Sequence, residues 1–139
     1  MISADLHNRI NVAIGDDGSS TELIKIIGDV QTTTKSGALV DAASIAWDVG
    51  AIQVATVTLG GNRALATPTN VKDGDTYILI VKQDATGSRT LSYDVIFKWK
   101  GGTAPTLSTG ANAVDVLTFI CHDIGGGLVL YGVEALNFS

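Results

Sequence analysis

The stretch Thr76-Tyr77-Ile78-Leu79-Ile80-Val81-Lys82-Gln83 decides how this chain is read. It is rich in β-branched and aromatic residues, and turn signals bound it on both sides, Asp73-Gly74 before and Asp84-Ala85-Thr86-Gly87 after. That is the signature of a β-strand. Successive strand side chains point to opposite faces, which puts Tyr77, Leu79 and Val81 on one side and Ile78 and Ile80 on the other. A one-sided antiparallel sheet shows one polar face. Here both faces are apolar, so the strand is either central in a sandwich or buried against another subunit. The last stretch repeats the pattern, with Leu128, Leu130 and Ala135 offset from Val129, Tyr131 and Val133. Two such strands favour an oligomer.

Working outward, further strands are expected over residues 44–47, 53–59, 89–93, 95–99, 114–122 and 128–136, beside the one at 77–83. Gly60-Gly61-Asn62, Gly101-Gly102 and Gly125-Gly126-Gly127 supply turns between them. No periodic helix lies between strands, so the expected architecture is mainly β, an antiparallel, jelly-roll-like β-sandwich over residues 38–139.

Residues 1–37 read differently, as an arm of two short helices and an extended linker. Ile2, Leu6, Ile10 and Ile14 make one apolar stripe, with Ser3 to cap it and Gly15 to stop it. Ser19-Ser20-Thr21-Glu22 matches a capping box opening a second helix, whose face is Leu23, Ile26 and Ile27. Helices this short need a surface to lie against, so Leu6, Ile10, Leu23 and Ile27 are expected assembly contacts.

The chain has 139 residues, enough for one domain of normal size. Nine basic against 14 acidic residues give a net charge of −5, the wrong sign for neutralising nucleic-acid phosphates or anionic lipid. Charged residues are only 17% while hydrophobic ones are 45%, with mean hydropathy +0.30, which argues against disorder and for burial between subunits. No uncharged stretch resembles a continuous membrane span, and the first residues lack the pattern of a secretion signal. The lone Cys121 excludes an internal disulfide framework and suits a reducing compartment.

No catalytic constellation stands out. Cys121, His122 and Asp123 are adjacent, but strand alternation sends Cys121 and His122 to opposite faces. No His, Cys and carboxylate set has metal-ligand spacing, and Asp16-Asp17-Gly18 lacks the closing glutamate of a calcium loop. Gly60-Gly61-Asn62-Arg63 and Thr86-Gly87-Ser88-Arg89 match no phosphate-binding loop and open no helix. The expectation is therefore a protein that is no enzyme, with no cofactor and no metal. Trp47, Trp99, Tyr77, Tyr93 and Tyr131 sit inside β runs, where core packing is the simpler role than stacking on a sugar. Asp115 is the odd residue in an apolar strand. If buried it needs a partner, Arg63 or Arg89, and an Arg–Asp pair between subunits would set their register. Otherwise it points to water.

The second half resembles a β-domain of tailed-bacteriophage virion proteins. The resemblance rests on Leu59-Gly60-Gly61-Asn62-Arg63 with Pro68-Thr69-Asn70, on Thr86-Gly87-Ser88-Arg89-Thr90-Leu91, on Phe97-Lys98-Trp99, and above all on Gly101-Gly102-Thr103-Ala104-Pro105-Thr106-Leu107-Ser108 followed by Ala111-Asn112-Ala113-Val114-Asp115-Val116-Leu117-Thr118-Phe119. It covers about residues 45–139. The resemblance implies a virion structural protein, assembled in the host cytoplasm as a homotrimer. The leading expectation is a head decoration or cement protein bound to the major capsid protein. The alternative is a tail-fibre or adaptor module contacting tail proteins or a host receptor. Arg63, Asp115, Tyr131 and Phe138 join the helix residues as expected assembly positions, with neither nucleic acid nor membrane as partner.

Overall fold

The computed structural model describes residues 34–139, which form one unit. The expected helices and the contacts Leu6, Ile10, Leu23 and Ile27 lie outside the described residues. The chain runs through β1 (Ser36–Ala38), β2 (Ser44–Ile45), β3 (Val54–Leu59), β4 (Arg63–Leu65), β5 (Thr76–Gln83), β6 (Leu91–Tyr93), β7 (Phe97–Trp99), a 3-10 turn (Lys100–Gly102), β8 (Val114–His122) and β9 (Val129–Phe138). A six-stranded sheet has the order β1-β3-β5-β8-β9-β7, and a three-stranded sheet the order β2-β4-β6.

The mainly β expectation holds, but the expected architecture needs correction. Among the described residues the 3-10 turn is the only helical element, and the sheets are not antiparallel. β1, β3 and β5 pair in parallel, as do β2, β4 and β6, and β7 pairs in parallel with β9. Only β5–β8 and β8–β9 are antiparallel. The physical reason is the crossover. Parallel neighbours need a long connection, usually a helix. Here β2 and β4 do that work, so the chain alternates between the two sheets from β1 to β6. Ser36, Val54 and Ile78 stack as one rung of this coil, and Ser44, Ala64 and Ser92 as another.

Local chemistry fits these elements. Residues 34–37, expected to belong to a linker, include most of β1, and Gly37 lets the Ile52 side chain approach to 3.0 Å of where a Cβ would stand. The glycines at 60 and 61 make room for Asp41 and the Arg63 guanidinium, so the chain turns at once into β4. Pro68 and Pro105 fall outside the strands, where the missing N–H breaks no ladder.

The core lies between the sheets. Ala55, Val57 and Leu59 of β3, Tyr77, Leu79 and Val81 of β5, and Leu117, Phe119 and Cys121 of β8 meet Ile45, Leu65 and Leu91 of the smaller sheet. Trp47, 2% exposed, sits at the centre. Its ring meets Tyr77 and Phe119 edge-on at 6.2 Å each, and its Nε1 donates to the Ile52 carbonyl at 2.7 Å. A buried indole N–H is thereby satisfied, as most buried donors are.

Candidate functional site

The six-stranded sheet has one face in the core and one outside. In β5 and β8 burial alternates strictly, with Tyr77, Leu79 and Val81 and then Asp115, Leu117, Phe119 and Cys121 inside. The outward rows follow from the register. Val54, Ile78, Thr118 and Val133 align across four strands, and Thr56, Ile80, Val116 and Ala135 form the next row. Ile120 lies opposite Tyr131, and Phe138 opposite Val114. Ile120 is 49% exposed, Val133 57% and Phe138 52%. β5 is thus central in its sheet, and its second apolar face still has no layer over it among the described residues. Tyr131 and Phe138, both expected assembly positions, lie on this outward face.

Asp115 is buried, 1% exposed, and among the described residues no arginine pairs with it. Its Oδ2 accepts the Ser108 N–H at 2.7 Å, while Oδ1 accepts the Ser108 hydroxyl at 2.6 Å and the Asn137 N–H at 2.9 Å. The expected arginine partner is therefore replaced by three neutral donors. Asn137 can serve because β9 bulges there. Val116 faces Ala135 but Val114 faces Phe138, and Asn137 takes a positive φ of 63°. Asp115 so ties the loop before β8 to the end of β9.

The two arginines are engaged elsewhere. Arg63 holds Asp41 through Nε and Nη2, both at 2.7 Å, and pulls that carboxyl below its ordinary range. Arg89 grips Oδ2 of Asp84 through Nε at 2.9 Å and Nη2 at 2.8 Å, with the same effect. Asp84 Oδ1 also accepts the N–H groups of Thr86 and Gly87. Buried Gln83 completes the turn, donating to the Arg89 carbonyl at 2.9 Å and accepting the Arg89 N–H at 2.8 Å. Ser88 N–H donates to the Thr109 carbonyl and Asn112 N–H to the Asp84 carbonyl, so residues 84–89 and 108–113 form one pinned loop cluster.

Gln83, Asp84 and Ser108 were not singled out from the sequence. Asp84-Ala85-Thr86-Gly87 carried the signal for its part, since Asp followed by Gly is a side-chain-capped turn. Nothing local marks Ser108 or Gln83.

At the other sheet edge, a cleft of about 600 Å³ opens between β6 and β7, lined by Leu91, Tyr93, Asp94, Phe97, Trp99 and Ala104 among others. Trp99 meets Tyr93 at 4.8 Å and Phe119 at 5.6 Å, so these rings belong to the core packing. The hydroxyl of Tyr93 and Nε1 of Trp99 are buried with no hydrogen-bond partner among the described residues, and burial pushes the Tyr93 phenol well up, keeping it protonated.

His122 and Cys121 diverge as alternation requires. His122 is exposed, its Nδ1 2.7 Å from Asp73 Oδ1, and Cys121 is buried with its thiol pushed up by desolvation. A buried, protonated thiol facing away from the imidazole has neither the base nor the access that nucleophilic attack needs. Asp123 Oδ1 accepts the N–H groups of Gly125, Gly126 and Gly127, a turn-closing role. Among the described residues no group of three or more His, Cys, Asp or Glu is placed to hold a metal ion.

Two classes of comparison, with curated proteins and with solved structures, yield no match. A family model does match, over residues 45–125, described as "Putative phage tail fibre C-terminal domain". The matched residues run from the end of β2 through β8 and include the pinned loops, the cleft and Asp115. More than half of the chain is covered, and the chain belongs to this phage tail fibre C-terminal domain family, which makes it a virion structural component.

Proposed function

We propose that this chain is a tail-fibre module, acting through shape and assembly rather than turnover, and contacting the tail or the host surface. The observation that carries the reading is the family match across both sheets. It favours the fibre over the head decoration role that the resemblance alone placed first. The structure supports a mechanical part. Both sheets share one core, and the loops at residues 84–89 and 108–113 are pinned by Gln83, Asp84 and Asp115 rather than left to move. A module so built presents fixed loops at small entropic cost on binding.

The module works as a homotrimer assembled in the host cytoplasm, with copies of itself and neighbouring tail proteins as partners. The apolar outward sheet face supports self-association, since contiguous apolar surface of this kind marks interfaces. Shearing purified virions and separating heads from tails tests the placement. The chain is expected in the tail fraction, at a few trimers per particle. Recovery with the heads, at hundreds of copies, would overturn it.

A further inference from the structure

We propose that copies of this chain pack on one another through the outward face of the six-stranded sheet around Ile78, Ile80, Val116, Ile120, Tyr131 and Val133, bordered by the open edge of β9. This rests on the self-association part of the function proposed above and names the surface that performs it.

Three observations converge. The first is the pattern. The apolar outward positions are neighbours by register rather than scattered, with Ile78 beside Thr118 and Val133, Ile80 beside Val116, and Ile120 beside Tyr131. Of the other large exposed apolar side chains, Val40, Val95 and Ile124 sit singly outside the strands and need no partner, while Leu136 and Phe138 lie at the end of β9.

The second is charge. The chain carries a net −5, yet among the described residues the outward strand positions hold no carboxylate, and Asp73 reaches this side only at the margin, against His122. Glu134 pairs with Leu117, a core position, and so lies on the opposite side of β9 from Val133. The basic groups in the outward rows, Lys82, Lys98 and His122, stand at the margins. Acidic copies therefore meet across this face without opposing carboxylates, which suits a second copy better than a basic partner.

The third is the edge. β7 accompanies β9 only as far as the Trp99–Gly132 pair, so among the described residues, positions 133–138 have one side unpaired, and all six are exposed. Four of the six are apolar, Val133, Ala135, Leu136 and Phe138, and an exposed strand edge is a liability unless covered.

Area agrees with the assignment. Four strands about 4.8 Å apart and six to ten residues long, at about 3.3 Å per residue, make a face on the order of 500 Å². Buried on two copies, that is roughly 1,000 Å², the threshold for a specific interface.

Sedimentation velocity on the full chain tests the surface. The unmodified protein is expected as a multiple of 14.4 kDa at micromolar concentration. Val133→Glu is expected to weaken association at least tenfold with circular dichroism unchanged, while Val95→Glu, on a turn, leaves it intact. A folded Val133→Glu chain that associates as well as the parent overturns this surface and leaves self-association standing. A parent chain that sediments as a monomer overturns self-association itself. Should Val133→Glu fail to fold, Val133→Cys decides: oxidation is expected to link copies covalently, with Val95→Cys staying unlinked. The reverse result removes the proposal.

Discussion

The Asp115 carboxylate grips Ser108 twice, at backbone and hydroxyl, and so fastens the loop before β8 to the strand itself. The same oxygen that takes the Ser108 hydroxyl also takes the Asn137 N–H, 22 residues further on. One buried side chain thus holds two remote backbone segments against the sheet. Its removal would leave three donors without acceptors.

Asp115→Ala is expected to cost about 3 kcal/mol of unfolding free energy, read by chemical denaturation. Ser108→Ala, which deletes one donor and keeps the rest, should cost about 1 kcal/mol. Equal small losses for both would show that Asp115 is not the clasp.

Gly87 and Gly74 form a controlled pair. Both have positive φ, +75° and +87°, but a Cβ on Gly87 would stand 2.5 Å from the Thr109 carbonyl oxygen, whereas Gly74 has open space. Gly74→Ala is expected to lose about 1–2 kcal/mol from backbone conformation alone. Gly87→Ala should lose at least about twice that, because the two pinned loops must part. Thermal denaturation of the two variants side by side checks the order.

Gly132 is where Trp99 lies on β9, its ring 2.5 Å from the place a Cβ would take. Gly132→Ala is expected to displace the indole, cost about 1–3 kcal/mol and shift the tryptophan emission. An unshifted spectrum at full stability would contradict the packing described.

The acid limb of stability should follow the ion pairs. Arg63 beside Asp41 and Arg89 beside Asp84 hold these carboxyls below the usual value near 3.8. A folded value below the unfolded one stabilises at pH above the unfolded value and is lost as pH falls through the folded one. The denaturation midpoint is therefore expected to be level between about pH 7 and 5 and to fall below about pH 4. Asp84→Asn should make that fall shallower, and salt should weaken it. A fall that begins near neutrality would point to other groups.

Much of the β layer was legible in the sequence. The strand at Val114–His122 has the expected bounds, and β5 differs by one residue, because long alternating apolar runs are strong signals. β1 and β4 were not legible. Three residues such as Arg63-Ala64-Leu65 show no period, and their strand state comes from the neighbours they pair with. Strand direction was hidden for a related reason. Nothing in residues 39–53 or 60–75 says that a crossover runs through a second sheet instead of a hairpin turn, so an antiparallel arrangement was the natural expectation and a wrong one.

At the site, two apolar faces on β5 were visible directly from Ile78 and Ile80. The partner of Asp115 was not, since Ser108 is one hydroxyl in a loop, and Asn137 contributes a backbone group that only the bulge in β9 presents. Charge reasoning named the right demand for a buried carboxylate and the wrong donor. Arg63 and Arg89 were already committed to acids near them in space or sequence.

Antibody labelling of intact particles, viewed by electron microscopy, tests the central claim most directly. Label confined to the tail fibres is the predicted result. Label spread over the head, with bare fibres, would contradict the account.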